Sequence, residues 1–189
     1  MHTLDIVGSV LDIAVVFLFI RASLFAWPVG IIATIVDGVL FLQANLYADM
    51  VLQGIYFLSM IYGWYYWLKG GKAHHHATIH HTPIVMGILL AIIATVSIAL
   101  IAFLLRHYTN SNTPIADAAT TVLALVAQWL ACRKLIENWL LWLIVDSMYL
   151  LLYDYKHLSF HAAENIVYLV LAVIGWVNWQ RLYRHRQIN

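Results

Sequence analysis

The 189-residue chain is poor in charge, since Asp, Glu, Lys and Arg together make up 10% of it, against about a quarter in ordinary soluble domains. Hydrophobic residues make up 63%. This composition excludes a soluble enzyme and indicates a membrane protein. The net charge of +1 gives no basis for a nucleic-acid partner. The single cysteine, Cys132, excludes an internal disulfide and a multi-cysteine metal site.

Long apolar runs alternate with short polar or proline-containing connections. A helix needs roughly 20 apolar residues to cross a bilayer, and by this measure the runs predict seven transmembrane helices. No basic stretch precedes the first run, so we expect no cleavable signal peptide. The predicted segments are 4–22, 27–44, 48–68, 84–105, 115–133, 139–155 and 159–181.

The chain resembles itself, because the register that aligns Arg21 with Arg133 matches 1–68 to the last third of the sequence without a gap. Segments one to three match segments five to seven, and segment four has no partner. We therefore predict two parallel three-helix repeats, 1–68 and 112–189, joined by a histidine-containing loop and a linker helix in 69–111. The other matched pairs include Trp27 with Trp139, Tyr56 with Tyr168, Gly63 with Gly175, Trp64 with Trp176 and Trp67 with Trp179.

Basic residues concentrate on one side of this predicted topology, with eight on one side and two on the other. The positive-inside rule places the eight in the cytoplasm, so we expect the N-terminus outside and the C-terminus inside. The eight are Arg21, Lys69, Lys72, Arg133, Lys134, Arg181, Arg184 and Arg186, and the two are Arg106 and Lys156.

Two patterns raise the possibility of an enzyme. His76, His80 and His81 follow the HxxxHH spacing of membrane di-iron enzymes, but those enzymes need several such boxes and this chain has one. Paired membrane carboxylates suggest an intramembrane aspartyl protease, whose GxGD motif is missing. We favour a solvated histidine loop and expect no catalytic residue, no resident metal and no cofactor.

Two carboxylates lie near the middle of apolar segments, Asp37 in segment two and Asp146 in segment six. An ionised side chain at that depth costs about 2.5–3.5 kcal/mol on insertion scales. Each aspartate therefore either joins helices through hydrogen bonds or faces a polar cavity, and both interpretations stay open. A cavity of this kind has a negative potential, which suits a cationic or neutral solute and disfavours a phosphorylated one.

Aromatic and amide side chains accompany these carboxylates at helical spacing. Trp142 follows Trp139 by three residues and precedes Asp146 by four, so all three share a helix face. Rings provide stacking surfaces and amides provide paired donors and acceptors, which together suit a flat heterocycle. Trp67 and Trp179 lie at segment ends, where we expect them in the interfacial aromatic belt. The other candidate binding residues are Asn165, Tyr168, Gln53, Tyr56 and Trp64.

Three stretches, 46–53 (LYADMVLQ), 61–67 (IYGWYYW) and 137–142 (ENWLLW), closely resemble the PnuC family of bacterial vitamin transporters. The resemblance implies an all-α integral membrane protein of the inner membrane, with seven transmembrane helices in a 3+1+3 arrangement similar to a full-length SWEET transporter. It also implies facilitated diffusion of nicotinamide riboside, trapping by a cytosolic kinase, and a homotrimer in contact with membrane lipid. The family's WxxW motif falls on Trp139 and Trp142, and its NxxY motif falls on Asn165 and Tyr168.

Several alternatives stay open at this point. Some nicotinamide riboside transporters of the family have an amide at the position of Asp146 and an apolar residue at that of Asp37. Thiamine is also flat and cationic, whereas riboflavin and deoxynucleosides gain less from aspartates. A non-transporting receptor is a further alternative. Three differences between the copies fall at candidate site positions or their counterparts, which leads us to expect that the second copy dominates substrate choice. They are Gly30 against Trp142, Thr34 against Asp146, and Gln53 against Asn165.

Overall fold

The computed structural model describes residues 2–45, 47–70, 77–109, 112–155 and 159–188, and it describes their side chains except at 2–6, 47–48, 152–155, 159–164 and 186–188. Seven helices lie within these ranges. They are α1 (His2–Ile20), α2 (Ala26–Gln43), α3 (Tyr47–Lys69), α4 (Ile84–Tyr108), α5 (Pro114–Cys132), α6 (Asn138–Tyr155) and α7 (Ser159–Ile188).

The helices follow the seven apolar runs closely. Every helix end lies within three residues of the prediction except the end of α7, which extends to Ile188 where the sequence predicted 181. The extra turns carry Arg184, His185 and Arg186. The predicted segment ends at the first charged residue after the apolar run. The helix itself can continue into water because its backbone hydrogen bonds are internal.

Four of the helices are long and apolar enough to cross a bilayer over much of their length, namely α2, α4, α5 and the stretch Asn165–His185 of α7. Shorter apolar stretches occur in α1 (Val7–Ile20) and α6 (Asn138–Leu151). Only 6% of the most apolar window of α4 is buried within the protein. Side chains such as Ile88 and Ile92 of α4 are therefore suited to lie in hydrocarbon.

The chain forms two compact units, each of which is made of more than one stretch of the sequence. The first unit comprises Met1–Ile79, Ala131–Lys134 and Val177–Asn189. The second comprises His80–Leu130 and Leu135–Trp176. In the first unit, α2 packs against both α1 and α3.

The ends of α1 and α5 have the same backbone structure at equivalent positions of the repeat. Ala22 and Lys134 adopt left-handed conformations with φ of 50° and 60°. The N–H of Ala22 donates to Phe19 O at 2.9 Å and that of Lys134 to Ala131 O at 3.0 Å. The next N–H in each copy bonds five residues back, again at 3.0 Å. Both ends are Schellman motifs, built on Ala and Lys where glycine is usual.

Indole groups add a second donor to two helix-end carbonyls in the first unit. Trp179 Nε1 donates to Phe19 O at 2.8 Å, and Trp67 Nε1 donates to Ala131 O at 3.0 Å. Both tryptophans are 0% exposed, and their ring centroids are 5.9 Å apart. Phe19 and Trp27 complete the aromatic cluster with edge-to-face contacts. The expectation of an aromatic belt is wrong for Trp67 and Trp179, because these rings contact protein and not the membrane interface.

Each copy of the repeat also has a tryptophan packed across a glycine. In the first unit Trp27 covers Gly63, and a Cβ added there would overlap the indole ring. In the second unit Trp139 covers Gly175, and an added Cβ would lie 2.5 Å from Cδ2 of the ring. These two glycines allow close approach of an aromatic ring to a helix backbone.

We predict that Gly63→Ala and Gly175→Ala each destabilise the protein by about 1–3 kcal/mol, because the added methyl group overpacks a buried indole. The matched control is Gly54→Ala in α3, where nothing lies within 4 Å of the new Cβ. That change raises helix propensity and should leave stability equal or slightly higher. Thermal unfolding in detergent compares the three variants, and equal midpoints for all of them would contradict the packing account.

Candidate functional site

Asp146 and Asn165 form the centre of the candidate site in the second unit. Asp146 on α6 is 8% exposed and Asn165 on α7 is 5% exposed. Asn165 Nδ2 donates a short hydrogen bond to the backbone carbonyl of Asp146. The contact brings two buried polar residues from different helices next to each other, and both are candidate binding residues of the sequence.

The aromatic candidates of the same unit differ in exposure. Trp139 is 4% exposed at the start of α6, where its ring packs on Gly175. Trp142 and Tyr168 are both half-buried. Since α6 is helical throughout 138–155, Trp139, Trp142 and Asp146 share one face of it. Trp142 and Tyr168 therefore retain accessible ring surface, whereas most of the Trp139 ring is used in packing.

The candidates in the first unit lie on α2 and α3. Asp37 is half-buried against α1, where its Oδ1 would lie 2.8 Å from a Cβ on Gly8. Gln53 is half-buried beside Gly38, with 3.9 Å between its Cβ and a Cβ built on that glycine. Tyr56 is half-buried. Trp64 is 38% exposed and lies at the surface of the described chain. Asp37 and Gln53 thus lie at helix contacts of α2.

Buried polar residues are unevenly divided between the two copies of the repeat. Of the seven in the described part of the chain, only Thr34 belongs to the first copy. Gln128, which is 6% exposed in α5 and aligns with Val16, was not among the candidate residues. Gln128 could have been identified as Asn165 was, because each is an amide inside an apolar segment. The six in the second copy are Thr120, Gln128, Lys134, Asn138, Asp146 and Asn165.

A polar clip joins the start of α4 to the α5–α6 connection in the second unit. Glu137 Oε2 accepts hydrogen bonds from Thr82 N at 2.8 Å and Thr82 Oγ1 at 2.6 Å. Its Oε1 lies 2.7 Å from His81 Nδ1. Ile136 N donates to His80 O at 2.9 Å, beside a short parallel bridge between His80 and Leu135. Burial would raise the pKa of Glu137, but the hydrogen bonds from Thr82 and His81 lower it overall.

The clip gives part of the histidine loop a structural role. His80 and His81 belong to it, whereas His76 and its neighbours His74 and His75 lie outside the described residues. Among the residues that the structure describes, no group of His, Cys, Asp and Glu is arranged to hold a metal ion. Cys132 is buried at the end of α5, and its Sγ contacts Ser59 O at 3.3 Å.

Comparison with known proteins assigns the family. The profile described as "Nicotinamide mononucleotide transporter" matches residues 2–181. The chain belongs to this family. Because the chain belongs to this family and has apolar helices, it is a multi-pass membrane transporter of a small molecule and not an enzyme. The histidine pattern therefore does not mark a di-iron enzyme.

Characterised relatives extend over nearly the whole chain. The nicotinamide riboside transporter PnuC of Escherichia coli (strain K12) is 26% identical over 94% of this chain and 86% of its own. The riboflavin/roseoflavin transporter RibM of Streptomyces davaonensis is 27% identical over 93% and 83%. The crystal structure of the vitamin B3 transporter PnuC matches with a TM-score of 0.76 and 22% identity, covering 96% of this chain and 82% of that one. The fold is therefore that of a PnuC transporter.

We predict that Glu137→Gln lowers the stability at pH 7 by roughly 1 kcal/mol, because the neutral amide weakens the bonds to Thr82 and His81. The pKa of Glu137 is lowered from 4.5 by folding, so its stabilisation is complete above pH 4.5 and is lost as the pH falls through the folded value. The difference in unfolding midpoint between wild type and variant should therefore shrink in acid. Asp49→Asn at an exposed position is the control, and a difference that persists unchanged in acid would refute the clip.

Proposed function

We propose that this chain carries an unphosphorylated, flat, cationic vitamin precursor by facilitated diffusion, with nicotinamide riboside as its preferred solute. The observation that carries the proposal is that Asp146 and Asn165 are both buried and are joined by a hydrogen bond from the Asn165 amide to the Asp146 backbone carbonyl, which brings two polar residues together inside apolar helices. A permanently cationic heterocycle bearing a carboxamide complements both groups. The relative from Escherichia coli, which is named for nicotinamide riboside, supports the same solute.

The charge of the candidate site argues against a phosphorylated solute, although the family description names the mononucleotide. A phosphate monoester has a charge of about −1.5 to −2 at pH 7. Bringing it beside Asp146 in a low-dielectric surrounding adds repulsion to the cost of removing its hydration. The ribosides avoid both costs. Phosphorylation by a cytosolic kinase then retains the solute, so the carrier needs no energy input of its own.

Each candidate residue has a proposed role that fits its exposure. The half-buried rings of Trp142 and Tyr168 stack on the heterocycle, while Asn165 and Gln53 bond its polar edge. Asp146 and Asp37 offset its charge or accept from its hydroxyl groups. Three further residues frame the site, with Trp139 as a buried wall and Tyr56 and Trp64 as the first-copy aromatics.

The proposed transport cycle rests on the internal repeat. Two three-helix repeats, 1–68 and 112–189, joined through 69–111, rock about a site near the bilayer midplane in a 3+1+3, SWEET-like arrangement. Support comes from the identical Schellman motifs at the ends of α1 and α5 and from the paired glycine–indole contacts. We further propose that the protein is a homotrimer.

Two observations, the basic residues and one structural feature, support a proposed membrane orientation. Ala22, Lys134 and Tyr183 line a single cavity with residues 77–79 of the α3–α4 connection. Connections that meet in this way belong on one side of a membrane, and they are the ones that the positive-inside rule makes cytoplasmic. We therefore propose a bacterial inner-membrane protein with its N-terminus outside and its C-terminus inside.

Riboflavin is the second candidate, because RibM matches this chain as extensively as the nicotinamide riboside transporter does. The isoalloxazine ring is flat and suits the same aromatic faces, but it is neutral and gains little from Asp146. Thiamine, which is cationic, is the alternative that the aspartates themselves favour.

A ligand panel tests the proposal. The purified protein is titrated by calorimetry with nicotinamide riboside, thiamine, riboflavin, a deoxynucleoside and nicotinamide mononucleotide. We expect nicotinamide riboside to bind most tightly and the mononucleotide at least tenfold more weakly. Riboflavin as the tightest ligand would transfer the assignment to the second candidate. Binding of phosphorylated compounds alone would overturn the argument from charge.

We predict that Asn165→Leu weakens solute binding at least about tenfold, because it removes an amide from the centre of the site. Asn178→Leu is the matched control. Asn178 Nδ2 donates the same kind of hydrogen bond, with a length of 2.7 Å, to Ile20 O, and Asn178 is not a candidate site residue. Both variants should lose similar stability, but only the first should lose affinity. Gln53→Met should have a smaller effect than Asn165→Leu. Equal losses of affinity for the two asparagine variants would remove Asn165 from the site.

A further inference from the structure

The glycine–indole contact of each copy fixes how two antiparallel helices pack. In the first unit, Trp27 of α2 lies on Gly63 of α3. Three residues further along α2 and three residues back along α3, a Cβ built on Gly30 would lie 2.8 Å from Met60 Sδ. Residues spaced by three share a helix face, so both contacts belong to one α2–α3 interface. Later residues of α2 thus meet earlier residues of α3.

The α6–α7 interface of the second unit has the same register. Its anchor is the contact between Trp139 and Gly175. Asn165 precedes Gly175 on α7 and bonds to a later part of α6, so these helices are antiparallel too. The same step of three residues leads from the anchor to Trp142 on α6 and Ala172 on α7. Ala172 is 3% exposed, and Trp142 is half-buried. The register therefore places Ala172 opposite Trp142 across the interface.

The two copies place their large and small side chains on opposite helices at this position. The first copy has glycine on α2 and methionine on α3, at Gly30 and Met60, and the methionine is 8% exposed. The second copy has tryptophan on α6 and alanine on α7. Protein interiors are close-packed, so large side chains on both helices would force one of them aside. The small side chain of Ala172 therefore leaves room for the Trp142 ring.

Trp142 and Ala172 adjoin the candidate site along both helices. Asp146 follows Trp142 by four residues on α6, and Tyr168 precedes Ala172 by four on α7. That spacing is about one helical turn, so the four residues lie on the facing sides of α6 and α7. The position of the Trp142 ring along this interface thus determines how much space is left next to Asp146 and Tyr168.

We propose that Ala172 is a positioning residue for solute recognition, because its small side chain sets where the Trp142 ring lies and therefore how large a heterocycle fits beside it. This inference rests on the proposed function, in which Trp142 stacks on the solute. A larger side chain at position 172 pushes the ring toward the solute. The loss of space affects the tricyclic isoalloxazine of riboflavin more than the monocyclic nicotinamide of the riboside.

A cycle of thermal-unfolding measurements without solute tests the packing. Ala172→Met is introduced into the wild type and into Trp142→Gly, where the double variant has the pairing of the first copy. We expect Ala172→Met to lower the unfolding midpoint of the wild type and to raise that of Trp142→Gly, because methionine fills the space that the indole leaves. A decrease of similar size in both backgrounds would overturn the proposal.

Calorimetric titration with nicotinamide riboside and riboflavin tests the effect on recognition. We expect Ala172→Val to raise the ratio of riboside affinity to riboflavin affinity by about threefold or more, and Ala172→Gly to lower it. Ala33→Val in α2 is the control for a buried alanine, because Ala33 is 2% exposed and is not a candidate site residue. That variant should lose stability and keep the wild-type ratio, since overpacking alone does not alter solute selectivity.

The outcomes separate this inference from the proposed function. A wild type that binds neither solute overturns the proposed function, and the recognition role of Ala172 with it. A wild type that binds both solutes, with the same affinity ratio in Ala172→Val and Ala172→Gly, overturns the positioning role alone. A ratio that changes equally in Ala172→Val and Ala33→Val would also overturn it, because the effect would then come from general destabilisation.

Discussion

The fold depends on how the last carbonyl groups of two helices are satisfied where water is scarce. An unpaired backbone group in hydrocarbon costs several kcal/mol, so a helix end in that setting needs a donor. Phe19 O at the end of α1 and Ala131 O at the end of α5 each accept from an N–H of the Schellman motif. Each also accepts from an indole N–H, that of Trp179 for Phe19 O and that of Trp67 for Ala131 O. Each indole belongs to the opposite half of the sequence from the helix that it completes. The bonds therefore tie α3 to the end of α5, and α7 to the end of α1.

The two copies of the repeat share their scaffold contacts but differ in their buried polar residues. Schellman motifs and glycine–indole contacts recur at equivalent positions of the repeat, so the scaffold is duplicated. The buried polar residues are not duplicated, since Gln128 aligns with Val16 and Asp146 aligns with Thr34. Met60 packs against Gly30 in the first copy, whereas the equivalent positions hold Ala172 and Trp142 in the second. A duplicated scaffold with one polar copy suits a transporter whose solute is recognised mainly from one side.

The helices were predictable because a span needs about 20 apolar residues and the sequence marks each interruption. Asp146 and Asn165 were predictable as candidates because a polar group inside such a span costs free energy, so its presence points to a hydrogen-bonding partner or a function. The roles of Trp67 and Trp179 were not, because a tryptophan near a segment end looks the same whether it faces lipid or a carbonyl 64 or 160 residues away in sequence. The bonds that Glu137 accepts from His81 and Thr82 likewise join residues far apart in the sequence. Local patterns carry no information about such pairings.

The central claim is that the chain moves an unphosphorylated solute across a membrane without energy input. Counterflow in proteoliposomes tests it most directly, with labelled nicotinamide riboside outside, unlabelled riboside inside and the proton gradient collapsed. The account predicts transient uptake of label that is abolished in Asp146→Leu and is absent when unlabelled mononucleotide replaces the internal riboside. Saturable binding without any flux would contradict transport, and uptake that required a proton gradient would contradict facilitated diffusion.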